Sequence, residues 1–291
     1  MVDIVKSGDL FVAIDDNGNQ IASSKNKYYL KQKVSSLKPQ PKKRESSFSI
    51  NQRFTFVEQI VTMIASKQIV SVVITGEGGL GKTHTVISSL NQSNLTDITP
   101  YLADLDDNSV VDRTGKYVTI KGFSTAKGLY KTLYNNRDSI IVFDDCDSIL
   151  KDLDALNLLK GALDSYDDRY ISWNTNNTDD SLPSTFKFTG SVIFISNLTQ
   201  DRINQALRTR SLCIDLSMTT EQKLDRMTYI ISQPDFLPAI DFNAKKDALQ
   251  LISTHRDIAN EISLRTLINI SKIRNSNNNN WQQLALYILE N

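Results

Sequence analysis

Histidine and cysteine are scarce, net charge is zero and no long apolar run occurs. Two histidines, His84 and His255, and two cysteines, Cys146 and Cys213, are spread over 291 residues. So few ligands argue against a zinc site or a histidine-based triad and leave no disulfide framework. Each cysteine lies in or beside an apolar strand-like run, where a buried, inert thiol is expected. Nothing approaches the length of a membrane span, and residues 1–20 lack the apolar core of a signal peptide; a cytoplasmic chain without membrane contact is the expectation. The 33 basic residues balance the 33 acidic ones, so bulk electrostatics does not mark the whole chain as a polyanion binder.

Locally the charge is uneven. From Asn17 to Arg44 there is no acid, while Lys25, Lys27, Lys31, Lys33, Lys38, Lys42, Lys43 and Arg44 all fall there. The stretch "KPQPKKRESS" reads as a linker or arm: a solvated tether, or a contact with phosphates or an acidic partner. Before it, "DLFVAIDDNGNQIAS" (residues 9–23) places apolar runs on either side of Asn17-Gly18, a hairpin signal. Four regions follow: a β-containing N-terminal element over 1–36, a basic linker over 37–53, an α/β domain over 54–217 and a helical domain over 218–291.

Within the α/β region a helix is expected around 54–66, then strands at Ile69–Thr75, Tyr117–Lys121, Ser139–Phe143, Ser191–Ser196 and Ser211–Leu216. Helices are expected at 82–92, 124–136, 150–163 and 200–207. The runs "IVSVVIT", "SIIVF" and "SVIFIS" are continuously apolar, as strands covered on both faces are. Beyond Leu216 strand signals cease, and "TTEQKLDRMTYII" opens with a capping box from Thr219 to Gln222.

The chemistry gathers in "VVITGEGGLGKTHTV", residues 72–86. A strand runs into Gly76-x-x-x-x-Gly81-Lys82-Thr83 and then into a helix, which is the phosphate-binding loop pattern in its proper setting. Glycines let successive backbone N–H groups of Gly76, Glu77, Gly78, Gly79, Leu80 and Gly81 turn inward around a phosphate, and the following helix, with His84 in its first turn, points its positive end there. Lys82 can reach the terminal phosphate oxygens of ATP, and the Thr83 hydroxyl can ligate Mg²⁺. A second constellation, "SIIVFDDCD", ends an apolar strand in two acids. Asp144 can hold the metal, and Asp145 can orient or deprotonate an attacking water.

Over about residues 54–275 the chain resembles the AAA+ ATPase family, a branch of the P-loop NTPases. That resemblance implies a five-stranded parallel sheet followed by a small all-helical lid. "SVIFISN" resembles the sensor-1 strand, which would make Asn197 the residue that aligns the water. "INQALRTRSLCIDL" is similar to the element carrying the arginine finger, with Arg210 as the better match and Arg208 as the other candidate. "EISLRTLINI" resembles the sensor-2 helix, making Arg265 a γ-phosphate contact. Most members follow the first Walker B acid with glutamate; here Asp145 is shorter by a methylene, which draws its carboxylate back by ~1.5 Å. Slow but real hydrolysis is the expectation. A finger that completes a neighbour's site requires a head-to-tail homo-oligomer, a ring or spiral, and the resemblance implies a hexamer.

Residues 168–190, "DRYISWNTNNTDDSLPSTFKFTG", read as a hairpin inserted before the sensor-1 strand, as in superfamily 3 helicases and other ring motors. Its tip carries Asp179 and Asp180 and no basic residue, which argues against phosphate tracking. "KGFST" (121–125) offers Phe123 either as a pore grip or as cover for the sheet. The choices left open are a nucleic-acid motor or loader acting on DNA or a DNA-bound protein, a protein-remodelling chaperone, a superfamily 3-like helicase and a slow nucleotide switch. The run "F.F.G.VIFISN", the abundant asparagine and the compact size resemble phage or bacterial ATPases and tilt the choice toward nucleic-acid metabolism.

Overall fold

The computed structural model describes residues 3–7, 10–14, 20–28, 30, 46–102, 113–122, 125–166, 168–173, 182–276 and 279–291. The chain divides into two compact units, 1–47 and 48–291.

The first unit is an antiparallel meander of β1 (Asp3–Ser7), β2 (Leu10–Ile14) and β3 (Gln20–Ser24). Ala13, Ala22 and Leu30 form its small core. The expected Asn17-Gly18 turn and most of the basic arm lie outside the described residues.

The second unit opens with α1 (Ile50–Ala65). It starts earlier than the apolar spacing alone suggests because Ser49 and Gln52 form a capping box, each side chain bonding the other's backbone N–H. Then come β4 (Ser71–Thr75), α2 (Lys82–Gln92), β5 (Thr96–Asp97), β6 (Lys116–Lys121), α3 (Ala126–Asn135), β7 (Ile140–Asp144) and α4 (Leu153–Ala162). The short antiparallel pair β8 (Tyr170–Ser172) and β9 (Thr185–Lys187) precedes β10 (Ser191–Ser196), α5 (Gln205–Arg208) and β11 (Leu212–Asp215). The tip of that hairpin, with Asp179 and Asp180, and Phe123 lie outside the described residues.

The main sheet is parallel, in the order β11-β4-β10-β7-β6-β5. Every residue of β4, β7 and β10 is buried, which is why these strands read as unbroken apolar runs: successive side chains feed opposite cores. In β7, Ile141 and Phe143 join Leu129, Leu133 and Leu159 on one face, while Ile140 and Val142 join Phe54, Val57 and Leu90 on the other. Phe143 stacks on its register partner Phe194 at 5.3 Å between ring centres.

The sheet has six strands, not the expected five. The extra one, β5, is a two-residue edge fixed by Thr96 N–H to Gly115 O (3.2 Å) and Ile98 N–H to Tyr117 O (3.0 Å). Two polar residues offer no periodicity to read, and their pairing depends on a distant strand.

After β11 the helices α6 (Thr220–Ile231), α7 (Phe242–Thr254), α8 (Leu264–Asn275) and α9 (Trp281–Glu290) surround their own apolar cluster, including Met227, Ile252, Leu267 and Leu289. The capping box at Thr219 and Gln222 is formed. Among the described residues no helix is long and apolar enough to cross a membrane. Two arginines tie this cluster to α1. Arg53, nearly buried, donates to Asp215 O and Ser217 O (both 3.0 Å) and to Gln222 Oε1 (3.1 Å). Arg226 lies 3.7 Å over the Phe54 ring and donates to Asn51 Oδ1.

Replacing Arg53 by Met keeps the aliphatic stem but removes the three donors. The unfolding free energy is expected to fall by ~2 kcal/mol, read as a lower denaturant midpoint at an unchanged slope. An unmoved midpoint would show that this junction contributes nothing.

Candidate functional site

The parallel sheet delivers the ends of β4, β7 and β10 to one rim, where open α/β sheets form their clefts. From β4 the chain enters the glycine loop. Gly76 has φ 140°, and a Cβ there would sit 2.8 Å from the carbonyl carbon of Leu216; only hydrogen fits. Gly81, at φ 94°, is the N-cap of α2 and supplies no side-chain cap, so the first-turn N–H groups of α2 are available to an anion.

Lys82 is only 5% exposed. Its ammonium donates to Gly76 O (2.7 Å), Glu77 O (2.6 Å) and Asn197 Oδ1 (3.0 Å), a full set for three N–H bonds. Burial lowers its pKa, against which the nearby carboxylates of Asp145, Asp144, Asp147 and Glu77 act. Thr83 donates its hydroxyl to Asp144 Oδ1 (2.9 Å). Lys121, opposite Asp144 in the β6–β7 ladder, pairs with Asp144 Oδ2 (3.1 Å).

Asp145 follows at φ 57°, a left-handed conformation that aspartate tolerates better than most residues and that concentrates at functional sites. Its N–H bonds Ile195 O (3.0 Å), and its carboxylate accepts the Asn197 amide N–H (2.7 Å). Burial raises the Asp145 pKa and the charge of Asp144 adds to it, while Lys82 opposes both. Two hydrogen-bonded sets thus lie side by side at this rim, Lys82 with Asn197 and Asp145, and Thr83 with Asp144, drawn from α2, the end of β7 and the end of β10.

Other expected residues fall elsewhere. His84 is exposed on α2, beside a cavity of about 490 Å³ that Gly81, Thr85, Tyr229, Leu264 and Ile268 also line. Arg265 is exposed on the first turn of α8, whose Leu264 N–H donates to Gly79 O (2.8 Å). Arg208, the last residue of α5, and Arg210, between α5 and β11, are both exposed. Ser71, the first residue of β4, donates to Arg210 O (3.3 Å); Arg210 is therefore at the start of β4, ~16 Å along the strand from the glycine loop.

Several contacts had no sequence signal of their own. Ser196 donates to Asp147 Oδ1 (2.6 Å) and accepts from Leu198 N–H (3.0 Å), fixing the turn that carries Asn197. Asp147 was visible only as a third acid in "SIIVFDDCD". Glu77 pairs with Lys223 of α6, and a Cβ on Gly79 would meet Ser263 at 3.1 Å. The last two contacts join segments more than a hundred residues apart.

The cluster fits a nucleotide phosphate and a hard cation. Among the described residues no group of three or more His, Cys, Asp and Glu could hold a metal alone. The pair of Thr83 hydroxyl and Asp144 carboxylate suits magnesium, whose remaining ligands would be water and phosphate oxygens.

No family model matches the chain. A protein of Enterobacteria phage T4, named "Uncharacterized 36.7 kDa protein in nrdC-mobD intergenic region", is 28% identical over 254 residues, covering 81% of this chain and 73% of its own length. Among solved structures, NtrX from Brucella abortus in complex with ATP aligns at a TM-score of 0.45 and 13% identity over 84% of this chain. NtrX in complex with ADP aligns at 0.46 and 12% over the same share. The chain spans about half the length of NtrX, 55% and 54% in the two structures.

The two neighbouring glycines separate backbone need from space. Gly76→Ala is expected to lower stability by at least ~2 kcal/mol. Gly78→Ala, whose Cβ would meet nothing nearer than Asn197 Oδ1 at 3.5 Å, should stay within ~0.5 kcal/mol. Thermal unfolding of both variants checks this; equal losses would contradict it.

Proposed function

We propose that the chain is an ATP-hydrolysing P-loop protein of the AAA+ type. The observation that carries this is the convergence of Lys82, Thr83, Asp144, Asp145 and Asn197 on the glycine loop. Backbone N–H groups of the loop and the start of α2 would bind the β-phosphate, and Lys82 would exchange its carbonyl partners for β- and γ-phosphate oxygens. Thr83 and Asp144 would hold magnesium, which when bound draws charge from those oxygens. Asp145, held by Asn197, would accept the proton of the attacking water. The cavity beside His84 would take the base, and Arg265, next to the Leu264–Gly79 contact, would approach the γ-phosphate from the helical side.

Arg210 lies at the far end of β4 from its own loop, so its role as a finger requires a second copy of the chain. The proposal is therefore a head-to-tail ring or spiral, with a hexamer as the form the resemblance implies. For the load, the acid-free basic stretch from Lys25 to Arg44 supports a motor or loader working on DNA or a DNA-bound protein. A protein-remodelling role is the outcome if DNA has no effect on turnover.

Lys82→Ala is expected to abolish binding of a fluorescent ATP analogue. Asp145→Asn should keep binding and lose turnover by about a hundredfold or more. Retained turnover in Asp145→Asn would remove its role as base. Mixing Lys82→Ala with Arg210→Ala should restore part of the activity that each lacks, because one supplies the finger and the other the intact loop. Turnover should rise with DNA at low salt and lose that gain as salt increases.

A further inference from the structure

We infer that Lys121 is a built-in counter-cation at the metal position, setting how strongly nucleotide binding depends on a divalent ion. The inference rests on the ATP reading above.

Asp144 has its side chain 6% exposed, and both carboxylate oxygens are engaged: Oδ1 by the Thr83 hydroxyl at 2.9 Å and Oδ2 by the Lys121 ammonium at 3.1 Å. A carboxylate at that depth needs a compensating charge. Lys121 supplies it from the solvent side: its own side chain is 66% exposed, so the ammonium can be withdrawn to water at little cost. The pairing is built into the strands, because Lys121 and Asp144 are register partners at the ends of β6 and β7. Lys82 feels the charge of Asp144 but does not pair with it, since its three donors point to Gly76 O, Glu77 O and Asn197.

Two opposite effects follow. Without a divalent ion, Lys121 neutralises Asp144 and shields incoming phosphates from a bare carboxylate, so metal-free nucleotide is tolerated. With an ion held by Thr83 and Asp144, the ammonium on the other carboxylate oxygen would repel it, so Lys121 would weaken metal binding unless it drew back to water. The lysine thereby narrows the gap in affinity between the metal-free and the metal-bound nucleotide. A lysine that merely braced β6 against β7 would weaken both forms alike.

The test is equilibrium binding of a fluorescent ATP analogue to the full chain, in EDTA and across a Mg²⁺ titration, for wild type, Lys121→Met and Lys121→Arg. In Lys121→Met, metal-free binding should weaken, less Mg²⁺ should be needed for half-saturation, and the ratio of the two affinities should rise about tenfold. Lys121→Arg, which keeps the charge, should stay near the wild-type ratio and also serves as the folded control. Binding with an unchanged ratio in Lys121→Met would overturn this inference alone. No binding by wild type in either condition would overturn the ATP reading and this inference with it.

Discussion

A buried ammonium group is the constraint around which the rim of this sheet is arranged. Lys82 is almost wholly removed from water, so each N–H must find an acceptor and the charge must find compensation. The acceptors are two carbonyls of the loop and one asparagine from the end of β10. That demand dictates the loop's path. Gly76 must take a conformation closed to other residues, and β10 must end level with β4 and β7. The same asparagine passes the constraint on to Asp145 through its amide. A single side chain thus links the phosphate loop, the acidic strand end and the turn after β10.

The helical cluster is tied to the same loop. Leu264 bonds Gly79 O, Lys223 pairs with Glu77, and Ser263 packs close enough to Gly79 that an added Cβ would meet it at 3.1 Å. Three contacts on a six-residue loop mean that a shift of the loop is felt at the starts of α6 and α8. Arg53 and Arg226 hold the other side of the junction at α1. Arg210, by contrast, lies at the far end of β4, where its carbonyl accepts from Ser71 and its guanidinium donates to Ala206 O. Under the proposed function one chain thus contributes to two sites, its own through the loop and a neighbour's through the edge beside β11.

Much of this was legible in the residues. The buried strands announced themselves as continuous apolar runs because helices cover both faces of the sheet. Glycine spacing marked the loop because Gly76, Gly79 and Gly81 take positive φ values that other residues rarely adopt. The capping boxes at Ser49 and Thr219 are local hydrogen-bond patterns; the second was read directly, the first was missed and the start of α1 with it. What stayed hidden depends on partners far away in the chain. The edge strand β5 is two polar residues that pair only because β6 passes alongside. Lys121 looked like part of a loop motif until the β6–β7 register set it against Asp144, and Asp147 acquired a task only once Ser196 lay opposite.

The most direct test of the central claim is where a nucleotide protects the backbone. Hydrogen exchange of the full chain should be compared with and without a non-hydrolysable ATP analogue and magnesium. Slower exchange is expected at residues 77–85 and at Leu264, with the strand interiors little changed. Protection confined to other parts of the chain, or none at saturating nucleotide, would contradict the assignment of the glycine loop and Lys82 as the phosphate site.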